Sequence, residues 1–548
     1  MNFIFQLMQR FYFIIILFFF ILSCNHPDYK DTKKVFRYNE SAGITSLDPA
    51  FTKDQSNIWA CNQLFNGLVQ LDEQLKVKPC IAKKWNISAD GKTYTFTLRD
   101  DVYYHKSTVF TDSTRKVIAN DFVYSFNRIV DEKIASPGAW IFNYVKNENG
   151  KFAFKALNDS ILEITLNQSF PPFLGLLSMQ YCSVVPHEAI DFYGKDFRKN
   201  PIGTGAFRLK LWKEGVKLVL VKNENYFEFE NNKRLPYLDA VAITFIIDKQ
   251  SVFLEFIKGN IDFMSGIDAS YKDELLTVNG QLNPKYKNKF QLISQPYLNT
   301  EYLAFLMDTT QANFKNNPLK YKAVRQAINY GFDRVKMMRY LRNNIGTPAL
   351  YGFVPKGLPS FDTAKVKGYD YQPDKSRKLL ADAGFPNGEG LSEITLSTTS
   401  SYLDLCKYIQ NQLAEIGLKI KIDVNPPATL REMIAKSKIS FFRGSWIADY
   451  PDAENYLSLF YSANFCPVGP NYTHFINKTF DMLYQKAQNE VNDSIRYGYY
   501  NQMDQIIMNE SPVVVLYYDQ VLRFIQNNIQ GLGSNPMNLL TLKKVKKI

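Results

Sequence analysis

The chain has no HExxH, GxSxG or GxxxxGK[ST] segment. Zinc-dependent peptide hydrolysis, acyl transfer at a nucleophile elbow and phosphate cradling by a P-loop each need one of these spacings. The sequence therefore offers no local machinery for them. Histidine is scarce: His26, His105, His187 and His474 are the only four, and they stand far apart. The cysteines, Cys24, Cys61, Cys80, Cys182, Cys406 and Cys466, form no CxxC pair and no zinc-ligand spacing. Neither a metal site nor a cofactor is expected from these parts. Long basic blocks are absent as well. The formal net charge is +12, but 65 Lys and Arg are interspersed with 53 Asp and Glu, and LKKVKKI (542–548) is the clearest run. Nucleic-acid binding concentrates charge on one face or helix. A solvated basic surface is the better reading, and no nucleic-acid partner is expected.

At 548 residues the chain exceeds one ordinary core and suggests two or three domains. Its 46% apolar and 22% charged residues place it among globular proteins. Aromatics reach 15%, with 34 tyrosines spread along the chain. The N-terminus sets the compartment. MNFIFQLMQR carries one positive charge, Arg10, and residues 11–22 are then wholly apolar. That run is short for a membrane span, which needs about 20 residues, and suits a signal-peptide core. The ending Ile21-Leu22-Ser23-Cys24 resembles a bacterial lipobox, which implies cleavage before Cys24 and lipidation of its thiol. An uncleaved anchor is the alternative. Residues 24–34 then read as the lipidated cysteine and a polar tether. The five cysteines that follow Cys24 are an odd number, which in an exported protein leaves a free thiol or an intermolecular bridge.

The first half is rich in strand signals. In ADGKTYTFTLRDDV (89–102), Tyr94, Phe96 and Leu98 alternate with threonines after a turn at Asp90-Gly91, the pattern of a half-buried strand. FRLKLWKEGVKLVLVK (207–222) reads as a hairpin around Glu214-Gly215, and ANDFVYSFNRIV (119–130) as a helix. The second half changes character. VRQAINYGFDRVKMMRYLR (324–342) predicts one helix with Val324, Ala327, Ile328, Gly331, Val335, Met338 and Leu341 on its apolar stripe. A helix over 372–384 takes Asp374 as N-cap and Gly384 as its stop. Then follow a strand at 392–397, a helix at 402–417, a strand at 418–424, a helix at 428–436 and a strand at 439–446. Strand, helix, strand, helix, strand is the signature of a parallel α/β layer.

The strand 439–446 leads into SWIADYPDAENY (445–456), where Asp449, Asp452 and Glu454 sit among aromatics. In open α/β sheets ligands collect beyond the carboxyl ends of strands. Asp449 occupies that position and is not needed for capping, although an exposed loop acid is the plain alternative. Asp452 precedes apolar residues at helical spacing and reads as a helix cap. A paired-carboxylate hydrolase using Asp449 and a distant acid stays open as the enzyme alternative.

Several segments together resemble the family 5 solute-binding proteins of bacterial ABC importers, the oligopeptide- and dipeptide-binding group. They are TSLDPA (45–50), residues 63–105, ANDFVYSFNRIVD (119–131), NPIGTGAFRL (200–209), VRQAINYGFDR (324–334), KLLADAGFPNG (378–388) and WIADYPDAENYLSLFYS (446–462), in the family's order. The resemblance implies an α/β, periplasmic-binding-protein-like fold of class II, with two α/β lobes and an extra strand-rich domain inserted in the first. The expected division is a signal peptide at 1–23 and a tether at 24–34. Lobe 1 takes 35–78, 200–300 and 512–548, the inserted domain 79–199, and lobe 2 301–511.

The resemblance also implies a function without catalysis. It is capture of peptides by a monomeric lipoprotein on the periplasmic side of the envelope, and delivery to permease and ATPase subunits in trans. An aspartate after a W-x-A-D motif meets the peptide's ammonium group in this family, and here it matches Asp449, with Trp446. Gly444, Ser445, Ile447 and Gln55 are the other expected ligand-facing residues. Dipeptide-binding members carry an arginine near the turn matching ITLSTTSSYL (394–403). This stretch has none, which favours longer peptides. A non-peptide solute, an oligosaccharide or a metal chelate, is the alternative.

Overall fold

The computed structural model describes residues 33–268, 270–308, 310 and 317–548. The leader and Cys24 lie outside the described residues. One large sheet runs through the molecule. Its order is Phe207–Lys213, Lys217–Lys222, Ala240–Thr244, Val35–Asn39, Phe263–Ser265, Val513–Gln526, Phe290–Phe305, Phe441–Ile447, Ile394–Thr398 and Ile420–Val424, with Thr347–Pro348 added beside Val513–Gln526. A separate antiparallel sheet holds Ala82–Ile87, Thr93–Leu98, Ile161–Thr165 and Phe154–Asn158. The fold is mixed α/β, as the sequence predicts.

Two long strands carry the large sheet from one half to the other. Phe290–Pro296 pairs with Gln520–Gln526, and Thr300–Ala304 pairs with Val513–Tyr518. The register slips between Pro296 and Thr300. Pro296 has no N–H to give to the ladder. The ladder breaks there and resumes at Thr300.

On the second-lobe side the pair explains a sequence run that periodicity alone leaves ambiguous. Tyr302, Ala304, Val513 and Val515 pack into one buried cluster, whereas Leu303, Phe305, Val514 and Leu516 pack into another. Successive side chains of a strand point to opposite faces, so a continuous apolar run feeds two cores at once. The parallel layer expected in this half is present. Ile394–Thr398 runs parallel to Ile420–Val424 along its length and to Phe441–Ile447 at Ser397 and Phe442. The helix between the first two, Leu403–Ala414, buries Leu405, Ile409 and Leu413.

Two local expectations are corrected. The single helix over 324–342 is two, Lys322–Tyr330 and Arg334–Arg342. Asp333 caps the second by accepting the Lys336 amide at 3.0 Å. The apolar stripe hid this break because both helices bury residues at compatible spacing, although Val335 is half exposed and Met337 takes its place inside. Gly331 marks the junction. A Cβ there would lie 2.7 Å from both Ile416 and Leu413. The second correction concerns Asp374. The helix Pro373–Asp382 has Gln372 at its N-cap, so Asp374 sits in the first turn. There it favours the helix through the dipole.

In the first half the strand Thr93–Leu98 buries Tyr94, Phe96 and Leu98, and the helix Ala119–Val130 matches the predicted span. Phe126 of that helix packs on Phe142 and Phe154 at ring-centre distances of 5.0 and 5.4 Å. The chain's end returns to this half. Lys547 Nζ donates to both oxygens of buried Asp262 at 2.8 and 2.9 Å.

Candidate functional site

The strand Phe441–Ile447 pairs antiparallel with Asn299–Phe305 over its whole length. On its other side only Phe442 meets a partner strand, at Ser397. From Arg443 to Ile447 no other strand pairs with it among the described residues. This edge contains Gly444, Ser445, Trp446 and Ile447, set opposite Tyr302, Glu301, Thr300 and Asn299 respectively. Gly444 has a steric reason. A Cβ there would lie 2.8 Å from the Tyr302 ring, so the tyrosine lies flat over the strand only because the position is glycine.

Beneath the edge lies a charged network. Arg443 forms an ion pair with Glu301, and their side chains are only 12% and 3% exposed. The Arg443 guanidinium also lies 3.3 Å from the centre of the Tyr402 ring. Asn299 Nδ2 links Glu301 to Asp519 at 3.2 and 3.1 Å, and Asp519 accepts from Arg342 at 3.1 Å. Burial raises the Glu301 carboxyl, and the Arg443 charge opposes that rise. Both arginines of this floor therefore already have carboxylate partners.

Past the strand end, Ala448 N–H donates to Leu298 O at 2.9 Å, and the chain turns at Asp449. One buried residue organises this turn. Asn455 Oδ1 accepts from the Trp446 indole N–H and from the Asp449 amide, each at 3.0 Å. Its Nδ2 donates to Asp449 Oδ2 at 3.1 Å. Asn455 thus fixes the tryptophan and the carboxylate relative to each other. Asp449 remains open to solvent, yet the protein around it desolvates the carboxylate enough to raise its pKa, with the Asn455 bond opposing. A carboxylate in that condition gains from an incoming cation.

Asp449 also faces the first half of the chain. Its charge and that of Asp54 both raise the Tyr181 phenol, after burial itself. Nearby, the Trp140 and Tyr450 rings meet at 6.2 Å, and a Cβ on Gly175 would touch Pro451 at 3.5 Å. Gln55 is exposed at the start of the helix Gln55–Leu64, next to Asp54. Among the described residues no hydrogen bond links it to the Gly444–Asp449 segment. The sequence reading names Asp449 and Trp446 and does not name Asn455, Asp54 or Tyr181. An asparagine six residues after the aspartate was the only local signal for the first, and the other two come from distant segments.

Asp452 is not the N-cap. The helical turn starts at Glu454 with Ala453 at the cap position. Asp452 Oδ1 still accepts the Glu454 amide at 2.9 Å, and Oδ2 lies 4.0 Å from Arg496. Glu454 itself is buried and accepts from the hydroxyls of Tyr450 and Tyr484. Burial pushes its carboxyl up to about 7, against those two bonds. The consequence for stability has a definite sign. Between the ordinary glutamate value and about 7, the unfolded chain has lost this proton while the native state still holds it. Native stability therefore falls as pH rises through that window, by up to ~1.4 kcal/mol per pH unit for one proton. Thermal denaturation of Glu454→Gln across pH 5–8 is expected to show a shallower decline than the parent. An unchanged slope would mean that Glu454 is ionised in the native state.

A cavity of about 770 Å³ lies elsewhere, lined by residues such as Gln63, Asn66, Arg99, Glu228 and Lys543. Lys543 Nζ is already 2.6 Å from Glu228. The strand edge is the better candidate, because it combines unpaired backbone with a desolvated carboxylate and faces the other lobe. Among the described residues no group of three His, Cys, Asp or Glu could hold a metal ion.

Comparison with known proteins places the chain in a family and supports the fold. The pattern of the bacterial extracellular solute-binding proteins, family 5 (middle region), matches residues 76–465. The chain is 28% identical over 523 residues to heme-binding protein A of Haemophilus influenzae, covering 92% of this chain and 91% of that protein. It is 25% identical over 531 residues to the dipeptide-binding protein DppE of Bacillus subtilis, covering 93% and 91%. Its structure resembles the periplasmic binding protein DppA of Helicobacter pylori in complex with the peptide STSA, with a TM-score of 0.73, 25% identity and coverage of 94% and 99%. The mixed α/β fold and a match over most of the length converge: the chain belongs to the bacterial extracellular solute-binding proteins, family 5.

Proposed function

We propose that this protein captures oligopeptides and delivers them to an inner-membrane permease, with the peptide laid along the Gly444–Ile447 edge and its ammonium group on Asp449. Family 5 proteins are the substrate-binding components of ABC importers that take peptides or related ligands. Asp449 carries the reading within that range. Its carboxylate is raised by desolvation, has one modest hydrogen-bond partner and stands at the end of an unpaired strand edge. An ammonium ion supplies the missing charge through charge-assisted hydrogen bonds. Main-chain pairing along the edge holds any peptide whatever its side chains. Trp446 and Ile447 then wall the ligand, Ser445 and Gly444 lie along its backbone, and Gln55 approaches from the first lobe.

Longer peptides are favoured over dipeptides. Arg443 and Arg342 are bound to Glu301 and Asp519, so neither is a ready partner for a carboxylate close behind the ammonium. The proposed lobes are 35–78, 200–300 and 512–548 for the first and 301–511 for the second, with 79–199 inserted. The four-stranded sheet apart from the main one supports the insertion. Leader cleavage and lipidation at Cys24 complete the proposal and place the monomer on the periplasmic membrane face.

Mass spectrometry of protein purified from its host tests the whole reading. The expected result is released peptides of several residues, bound stoichiometrically and recovered intact, and an acylated N-terminal fragment beginning at Cys24. Release of a haem, a sugar or a metal chelate would replace the peptide reading. Catalytic loss of added peptide would replace the binding one.

A further inference from the structure

Away from the residues proposed to hold the peptide, Cys466, His474, Asp308 and Ser437 bring a thiol, an imidazole, a carboxylate and a hydroxyl together. Cys466 Sγ lies 3.3 Å from His474 Nε2. The other ring nitrogen, His474 Nδ1, lies 3.3 Å from Asp308 Oδ2. Ser437 Oγ closes a triangle, 3.3 Å from the thiol and 3.2 Å from Nε2. The Phe465 ring stacks on the imidazole at 4.6 Å with a 7° interplanar angle. Backbone pairing assembles the group: Met307 N–H donates to Thr473 O at 2.7 Å, and Leu306 N–H to Ser440 O at 2.9 Å. Peptide capture uses none of these residues.

We propose that Cys466, His474 and Asp308 form a thiol-exchange site that takes a low-molecular-weight disulfide and leaves Cys466 in a mixed disulfide. The carboxylate at Nδ1 selects the tautomer whose Nε2 is an unprotonated acceptor, and that nitrogen faces the thiol. The linear order of thiol, imidazole and carboxylate is that of an activated nucleophile, since the carboxylate holds the far side of the ring instead of converging on the sulfur. In the reaction the Sγ proton passes to His474 Nε2. A sulfur lone pair attacks one sulfur of R–S–S–R, and that S–S bond breaks. The departing thiolate collects the proton from Nε2 and leaves as RSH. Cys466 is oxidised, half of the small disulfide is reduced, and no other oxidant enters. Ser437 can donate to the thiolate while it lasts.

The other described cysteines lack this equipment. Cys61, Cys80, Cys182 and Cys406 are buried, and burial raises each thiol, Cys80 to about 12. Buried thiols in apolar surroundings are inert. Cys466 is buried too, at 6% exposed, but its sulfur has an imidazole against it and it begins a turn whose Val468 is 98% exposed. Tyr472 is also in reach, and its phenol is raised by burial and then by the Cys466 charge.

The test uses the full-length protein, folded, at pH 7, with 5,5′-dithiobis(2-nitrobenzoic acid) as the small disulfide and peptide mapping of every cysteine. Cys466 is expected to react first, roughly tenfold or more faster than the other four thiols, because His474 stands ready to take its proton during attack and the others have no such base. His474→Gln is expected to slow Cys466 by a similar factor, Asp308→Asn by less, and Cys466→Ser to remove the fast phase. Protection of the other four cysteines in each variant reports that it is folded. An unreactive Cys466 in the parent, or a parent in which another of the five reacts equally fast, overturns the proposal without any variant. So does a His474→Gln protein that reacts at the parental rate.

Discussion

Asp449→Asn is expected to weaken binding of a peptide with a free amino terminus by roughly ten- to a hundredfold. Hydrogen bonds to charged groups contribute about 1.5–3 kcal/mol, and the substitution keeps the shape while removing the charge. Asparagine can still accept from Asn455 Nδ2, which donates to Asp449 Oδ2 at 3.1 Å, so the turn itself is expected to survive. Acetylating the peptide's amino terminus should cost the parent protein a similar factor. It should cost the Asp449→Asn protein much less, because the two changes remove one shared contact. Calorimetric titration of both proteins with both peptides closes this cycle. Equal affinity of the parent for free and acetylated peptide would take Asp449 out of the role and point to an uncharged ligand. Asp452→Asn is the natural control. Asp452 contacts Arg496 and the Glu454 amide inside the fold, so that variant probes stability and leaves the proposed ammonium contact in place.

Arg443→Met is expected to produce the largest loss of stability, about 3–5 kcal/mol, because it strands Glu301 as a buried carboxylate without its countercharge. The side chain of Glu301 is 3% exposed, so water cannot replace the guanidinium. The loss should depend on pH with a fixed sign. Burial already raises the Glu301 carboxyl against the Arg443 charge. Without Arg443 the carboxyl rises further, so the unfolded chain releases this proton at lower pH than the native state does. The penalty is therefore small near pH 5 and grows as pH increases. Urea denaturation at pH 5 and pH 8 measures it. Adding Glu301→Gln to Arg443→Met should recover most of the loss, since both charges are then gone. A single Arg443→Met protein as stable as the parent at pH 8 would mean that Glu301 does not carry a charge in the native state.

Both experiments concern residues that the sequence treats very differently. Asp449 and Trp446 are legible in the chain because they share a short motif at the end of a strand whose alternation can be read locally. Arg443 is two residues from Ser445 in that same strand, yet nothing local says that it pairs with Glu301, more than a hundred positions away. The pairing follows from the antiparallel ladder that sets Ser445 opposite Glu301. Asn455 is similar on a smaller scale. Its three hydrogen bonds to Trp446 and Asp449 exist because the chain folds back after Asp449.

The sequence by itself determined the class of the fold and the order of its elements. Period-2 and helical patterns depend on each residue's near neighbours, so the Thr93–Leu98 strand, the 207–222 hairpin, the Ala119–Val130 helix and the parallel layer of the second half could all be read from it. Local spacing failed where a break left the apolar stripe intact, as at Gly331 between two helices taken for one. Tertiary structure alone decided three things. It set the continuous run at 513–516 into two cores by alternating its side chains across one sheet. It brought Asp449 near enough to raise the Tyr181 phenol, by packing Tyr450 and Pro451 against Trp140 and Gly175. And it placed Cys466, His474 and Asp308 in line. Each of these depends on contacts between residues far apart in the chain, whose meeting is fixed by the pairing of the long strands and not by the identity of any neighbour in sequence.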